Sequence, residues 1–176
     1  MKKITIILAI IMAFVLSKSN TESIIIPNNA IRVRIIANSN EQKDLNIKEQ
    51  LRNDIEPKIY KLLKNTTDLN EARSILQNNI ENIDIEVKTS LKKQNSNETY
   101  KINYGMNYFP RKEFKGVVYP EGNYESLVIT LGKGEGNNWW CVLYPPLCML
   151  EFDDVEKENI DYKSFVVEMI KKYLNN

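Results

Sequence analysis

Tyr100-Lys101-Ile102-Asn103-Tyr104-Gly105-Met106-Asn107-Tyr108 is the stretch that decides the fold class. Tyr100, Ile102, Tyr104, Met106 and Tyr108 alternate with polar or small residues. That period of two predicts a strand with one largely aromatic face. After the turn signal Pro120-Glu121-Gly122-Asn123, Leu127, Ile129 and Leu131 alternate again. Two such runs separated by a turn predict an antiparallel ribbon. Helical periodicity lies on both sides of it. Upstream, Ile47, Leu51, Ile55, Ile59 and Leu62 are spaced as one apolar helix face. Pro57 interrupts that face, lacks an N–H and predicts a kink or a fresh helix start. Thr67 or Asp68 can cap a second helix, and Asp68 with Glu71 resembles a capping box. Ala72, Ile75, Leu76 and Ile80 are its apolar face.

Residues 81–93 fit two periods. Ile83, Ile85 and Val87 alternate as a strand, while Ile80, Ile83, Val87 and Leu91 fit a helix; we read a helix. Nearer the N-terminus, Ile31, Val33 and Ile35 alternate with Arg32 and Arg34, a half-buried strand, and Ala37–Asn40 reads as a turn. At the other end, Tyr162, Phe165, Val166, Met169, Ile170 and Tyr173 form an amphipathic helix that would pack on the sheet, capped by Asn159 or Asp161. The expectation is an α+β fold, with several helices packed on a small, mostly antiparallel β-sheet.

Composition excludes several functions. The 176 residues are 43% apolar and 27% charged, which suits one globular domain. A formal charge of +1 gives no electrostatic drive toward nucleic acid. Histidine is absent and there are two cysteines, so a His/Cys zinc site cannot be assembled and the usual neutral-pH base is missing. No metal and no cofactor are expected.

The first residues read as an export signal. Lys2 and Lys3 precede an apolar run from Ile4 to Leu16, followed by Ser17 and Ser19 at small-residue positions. Residues 1–19 are therefore expected to be a signal peptide or an uncleaved anchor, and residues 20–176 a single exported domain. As a helix the run would be about 20 Å long, short of the roughly 30 Å of a bilayer core.

Residues 132–148 hold both tryptophans, both cysteines, a Pro-Pro pair and three glycines. Gly132, Gly134 and Gly136 lack the spacing of a dinucleotide or phosphate loop. Cys141 and Cys148 have six residues between them. In an exported domain a stapling disulfide is the leading reading, with two buried thiols the next. A nucleophilic role has no histidine to support it. Adjacent Trp139 and Trp140 in an extended chain point to opposite faces, so one can fill the core while the other meets solvent or a partner.

The run Gly134-Glu135-Gly136-Asn137-Asn138-Trp139-Trp140-Cys141-Val142-Leu143-Tyr144-Pro145-Pro146-Leu147-Cys148 resembles the signature of the stage II sporulation protein R family. Ile31-Arg32-Val33-Arg34-Ile35-Ile36-Ala37-Asn38-Ser39, Asn107-Tyr108-Phe109-Pro110 and Pro120-Glu121-Gly122-Asn123-Tyr124-Glu125 match that family's order, over about residues 31–150. The resemblance implies a secreted signal, made in the forespore and exported to the space between forespore and mother-cell membranes. There it would trigger a membrane-embedded aspartic protease that processes pro-sigma-E, without being an enzyme itself. Its membrane association would be confined to the N-terminal segment or to proximity. The contact residues we expect are Asn138, Trp139, Trp140, Tyr144, Pro145 and Pro146, with Arg32, Arg34, Asn38 and Ser39 as a second patch; a solvated strand face is the plainer account of the arginines. The competing classes are an exported cell-wall hydrolase using Glu121 and Glu125 as an acid pair, and a structural spore-envelope protein.

Overall fold

The computed structural model describes residues 24–26, 28–148 and 162–174. The expected export segment and the expected caps Asn159 and Asp161 lie outside these residues. The elements run β1 (Ile24–Ile25), β2 (Ile31–Ile36), α1 (Gln42–Leu63), α2 (Leu69–Asn78), α3 (Ile80–Lys93), β3 (Tyr100–Phe109), β4 (Lys112–Phe114), β5 (Val117–Tyr119), β6 (Gly122–Leu131), β7 (Asn138–Tyr144) and α4 (Tyr162–Leu174). The fold is α+β. Four strands form the main sheet in the order β3-β6-β2-β7, and three form a second sheet in the order β1-β5-β4.

The expected ribbon forms: β3 and β6 pair antiparallel from Tyr100 opposite Leu131 to Phe109 opposite Gly122. The chain between them makes the small β4–β5 hairpin rather than one turn. β2 is central, parallel to β6 and antiparallel to β7. Residues 81–93 are helical, as read.

Three helices cover one face of the main sheet. Ile47, Leu51, Ile55, Ile59 and Leu63 repeat every four residues along α1 and are all buried. They meet Val33, Ile35, Leu127, Ile129 and Leu131 from the sheet. Pro57 starts no new helix: α1 runs unbroken from Gln42 to Leu63. A proline inside a helix costs about 3 kcal/mol. Burying Ile55 and Ile59 on either side of it, at about 1.5–3 kcal/mol each, offsets that cost. Asp68 caps α2, accepting from the backbone N–H groups of Asn70 and Glu71.

The opposite face is covered by the second sheet and by α4, whose Val166 is buried with Phe165, Met169 and Ile170 packed alongside. This corrects the half-buried reading of β2. The strand is flanked by partners and covered on both faces, and Arg32 is wholly buried.

Candidate functional site

Two segments singled out in the sequence, 31–39 and 132–148, come together at one end of the sheet. The turn after β2 interlocks with the glycine loop before β7. The Gly136 N–H donates to the Ala37 carbonyl at 2.9 Å, and the Glu135 N–H to the Asn38 carbonyl at 3.0 Å. Asn38 Oδ1 accepts from the Lys133 N–H at 2.9 Å, and Asn40 Oδ1 from the Asn137 N–H at 2.7 Å. Asp44, in the first turn of α1, accepts from Asn38 Nδ2 at 2.9 Å and Ser39 Oγ at 2.7 Å. Lys48 Nζ donates to the Asn137 carbonyl at 3.2 Å. A Cβ on Gly136 would collide with the Ser39 carbonyl, so this close approach requires glycine. Asn38 and Ser39 are half-buried members of this lock, not a free polar surface.

The tryptophans sit on opposite faces, Trp139 across from Ile35 and Trp140 across from Arg34. Trp139 is half-buried against the helical core, with the Arg52 guanidinium 5.3 Å from its ring centroid. Trp140 is buried, edge-on to Phe109 at 5.6 Å and to Tyr119 at 5.0 Å. Tyr144, Pro145 and Pro146 are buried as well. The Tyr144–Pro145 peptide is cis, and the turn beyond it is tied back by a Cys141–Cys148 disulfide spanning 5.7 Å between Cα atoms. Trp140, Tyr144, Pro145 and Pro146 therefore serve packing in this conformation. Asn138, Trp139 and Arg34 keep partial exposure.

Arg32 is the unusual member. Its guanidinium lies over the Tyr124 ring at 3.4 Å, with Phe109 at 5.3 Å and Trp140 at 5.4 Å. The Tyr124 hydroxyl donates to the Pro120 carbonyl at 2.9 Å, while the arginine stacks on the ring face. None of its three nitrogens has a hydrogen-bond acceptor among the described residues. Burial pushes its pKa down, opposed chiefly by Tyr124. Arg34, two residues on, reaches the Tyr108 carbonyl at 3.2 Å. Asn103 Nδ2 donates to Asn107 Oδ1 at 2.8 Å, a contact that an extended strand cannot make four residues apart. β3 is therefore bent between them and brings Phe109 over the arginine face. Met106 and Tyr108, on the other side of the bend, are 67% and 56% exposed. Sequence reasoning missed Phe109, Tyr119 and Tyr124 as the enclosure of Arg32; no spacing linked them to it.

Glu125 of the suggested acid pair is not free to act. Glu125 accepts from Arg73 through both oxygens at 2.8 Å and from the Tyr104 hydroxyl at 2.8 Å. The hydrogen bond from Arg73 holds its carboxyl below the usual range, opposite to what a general acid needs. Among the described residues, no cluster of three acidic or cysteine ligands could hold a metal ion. No helix among them is long and apolar enough to cross a membrane.

The family model described as stage II sporulation protein R matches residues 27–154. The chain belongs to that family. The stage II sporulation protein R of Bacillus subtilis (strain 168) is 38% identical over 139 residues, 79% of this chain and 62% of that relative. The chain thus spans a little under two thirds of that relative's length. No solved structure matches. Membership supports a role in sporulation, and the matched residues take in the β2 turn, the bent ribbon and the glycine loop described above.

Proposed function

We propose that this protein is a secreted intercellular sporulation signal that activates a membrane-embedded aspartic protease of the mother cell, leading to processing of pro-sigma-E. The carrying observation is the family match over residues 27–154. The export pattern of residues 1–19 supports the secreted part of the reading. The mechanism is differential binding: the domain binds the protease's active form more tightly than its inactive form and so shifts the population. Because an aspartic dyad needs two carboxylates together, favouring the protease dimer is one way to do it. Among the residues expected to make contact, Asn138, Trp139 and Arg34 are half-buried and retain surface to offer, whereas Pro145 and Pro146 are buried.

The test is reconstitution in non-sporulating cells. The chain is co-expressed with the protease and the sigma precursor, and precursor shortening is followed by blot. Shortening that needs this chain, and that is lost when residues 1–19 are deleted, is the expected result. An intact precursor beside a chain shown to be exported and folded would defeat the reading. Incubating the chain with purified peptidoglycan separates off the hydrolase alternative, which the pairing of Glu125 with Arg73 already disfavours.

A further inference from the structure

Three features meet at one end of the second sheet. The first is where the described chain begins: Ile24 pairs with Val117, and Val117 pairs with Phe114, so Ile24 lies two strand spacings, about 10 Å, from the β4–β5 tip. The second is that tip. Lys115 and Gly116 form a two-residue turn, both with positive φ (48° and 75°). A left-handed conformation is costly for a residue with a Cβ, and asparagine or glycine is the usual occupant. A lysine held there places its charge at the point of the hairpin. It lies 5.4 Å from the ring of Phe114, which is 47% exposed. The third is the start of α4, where the Lys163 side chain lies against Gly116. Lys163 and Lys171 line a groove with Ile24, in which Glu168 is the one acidic residue. Of the neighbouring cations, Lys112 lies over the Trp140 ring at 4.9 Å and Arg111 is paired with Glu113, which leaves the tip to Lys115 and Lys163.

The apolar run of the sequence ends at Leu16, with seven residues between it and Ile24. Seven residues reach at most about 25 Å when fully extended. If that run stays in a membrane, its tether leaves the domain beside this lysine-bearing tip.

We propose that the β4–β5 hairpin tip and the start of α4 rest on an anionic bilayer surface, with Phe114 entering the headgroup layer and Lys115 and Lys163 facing acidic lipid. An exposed aromatic ring amid lysines is the composition of an interfacial contact. Each lysine close to an anionic leaflet favours the bound state by about fivefold. The contact would orient the domain on its tether, with the lock between the β2 turn and the glycine loop belonging to the other sheet. This does not depend on the protease reading, and its test contains no protease.

The experiment uses the full chain with Phe114→Trp, reconstituted into vesicles of phosphatidylcholine alone or with phosphatidylglycerol, each carrying brominated acyl chains. Quenching is corrected for Trp139 and Trp140 with the unsubstituted chain. We expect quenching at 114 to be at least about twofold greater with the anionic lipid. The gain should be lost when Lys115→Glu and Lys163→Glu are added. In the unsubstituted chain, hydrogen exchange over residues 112–119 should slow on anionic vesicles alone. Equal quenching and exchange on the two lipids, or a gain indifferent to the charge reversals, would overturn the proposal.

Discussion

The two faces of the main sheet are built on different chemistry. The helical face is aliphatic: isoleucine, leucine and valine from α1, α3, β2 and β6 close on one another. The opposite face is aromatic and encloses a charge. Phe109, Tyr119, Tyr124 and Trp140 gather there, with Arg32 wholly buried among them. The first face is what any small α+β domain requires. The second keeps a cation away from water with ring faces as its neighbours, an arrangement with an energetic cost that stability alone does not demand. All four segments carrying the family resemblance contribute to that second face, through Arg32, Phe109, Tyr124 and Trp140.

The largest effect should come from the aliphatic face. Leu51→Ala removes a fully buried side chain, and partial collapse of the cavity should leave a loss of about 3 kcal/mol in chemical unfolding. The arginine face should respond with the opposite sign. Arg32→Met keeps the length of the side chain and deletes the buried charge, so we expect a gain of about 1–2 kcal/mol in the same measurement. The contrast would break if Arg32→Met destabilised the fold as Leu51→Ala does. The ring faces would then outweigh desolvation, and the enclosure would be a stabilising device.

How much of this was legible in the sequence follows from the same division. The aliphatic face announced itself by periodicity: the four-residue repeat from Ile47 to Ile59 and the alternation at Leu127, Ile129 and Leu131 are local signals. The other face is covered by strands of two and three residues, too short to show a period. Arg32 and Arg34 therefore read as solvated, the usual state of a charge on an alternating strand. The parallel pairing of Arg32 with Ser126 joins segments far apart in the chain, which no spacing rule reaches. The candidate site was legible as a motif and not as a surface. Tryptophan, tyrosine and proline are the composition of an interface anchor and equally of a tight core, and only the placement of Tyr144, Pro145 and Pro146 separates the two. Pro57 misled for a related reason, since tertiary burial on both sides overrode a local rule.

The link between α2 and the ribbon should carry a smaller, pH-dependent share. In the fold Arg73 holds the Glu125 pKa below its ordinary value. Its contribution is then present above the unfolded carboxylate range and is lost as pH falls through the folded value. With Arg73 35% and Glu125 19% exposed, solvent screening limits the pair to about 1 kcal/mol. Urea unfolding at pH 7 and at pH 3 should show that difference in the native chain. Glu125→Gln should flatten this part of the profile; an unchanged profile would place the acid sensitivity elsewhere.

The smallest effect on stability belongs to the outer side of the ribbon bend. Met106 and Tyr108 lie on the strand face that the helices cover as far as Tyr104, but beyond the reach of that cover. Replacing both with serine removes little buried area, and we expect the midpoint of unfolding to move by less than about 0.5 kcal/mol. A loss of 2 kcal/mol would mean that the bend itself depends on them. Their value is as a control for Trp139→Ala. The half-buried indole also touches the helical core, so its truncation should cost more stability than the serine pair while leaving the fold intact. In the reconstituted processing assay the proposed docking surface predicts loss of precursor shortening with Trp139→Ala, at expression levels matched to the native chain. If the serine pair abolished shortening and Trp139→Ala did not, the surface that matters would be the bent ribbon's outer side, and Trp139 would join Trp140 as packing.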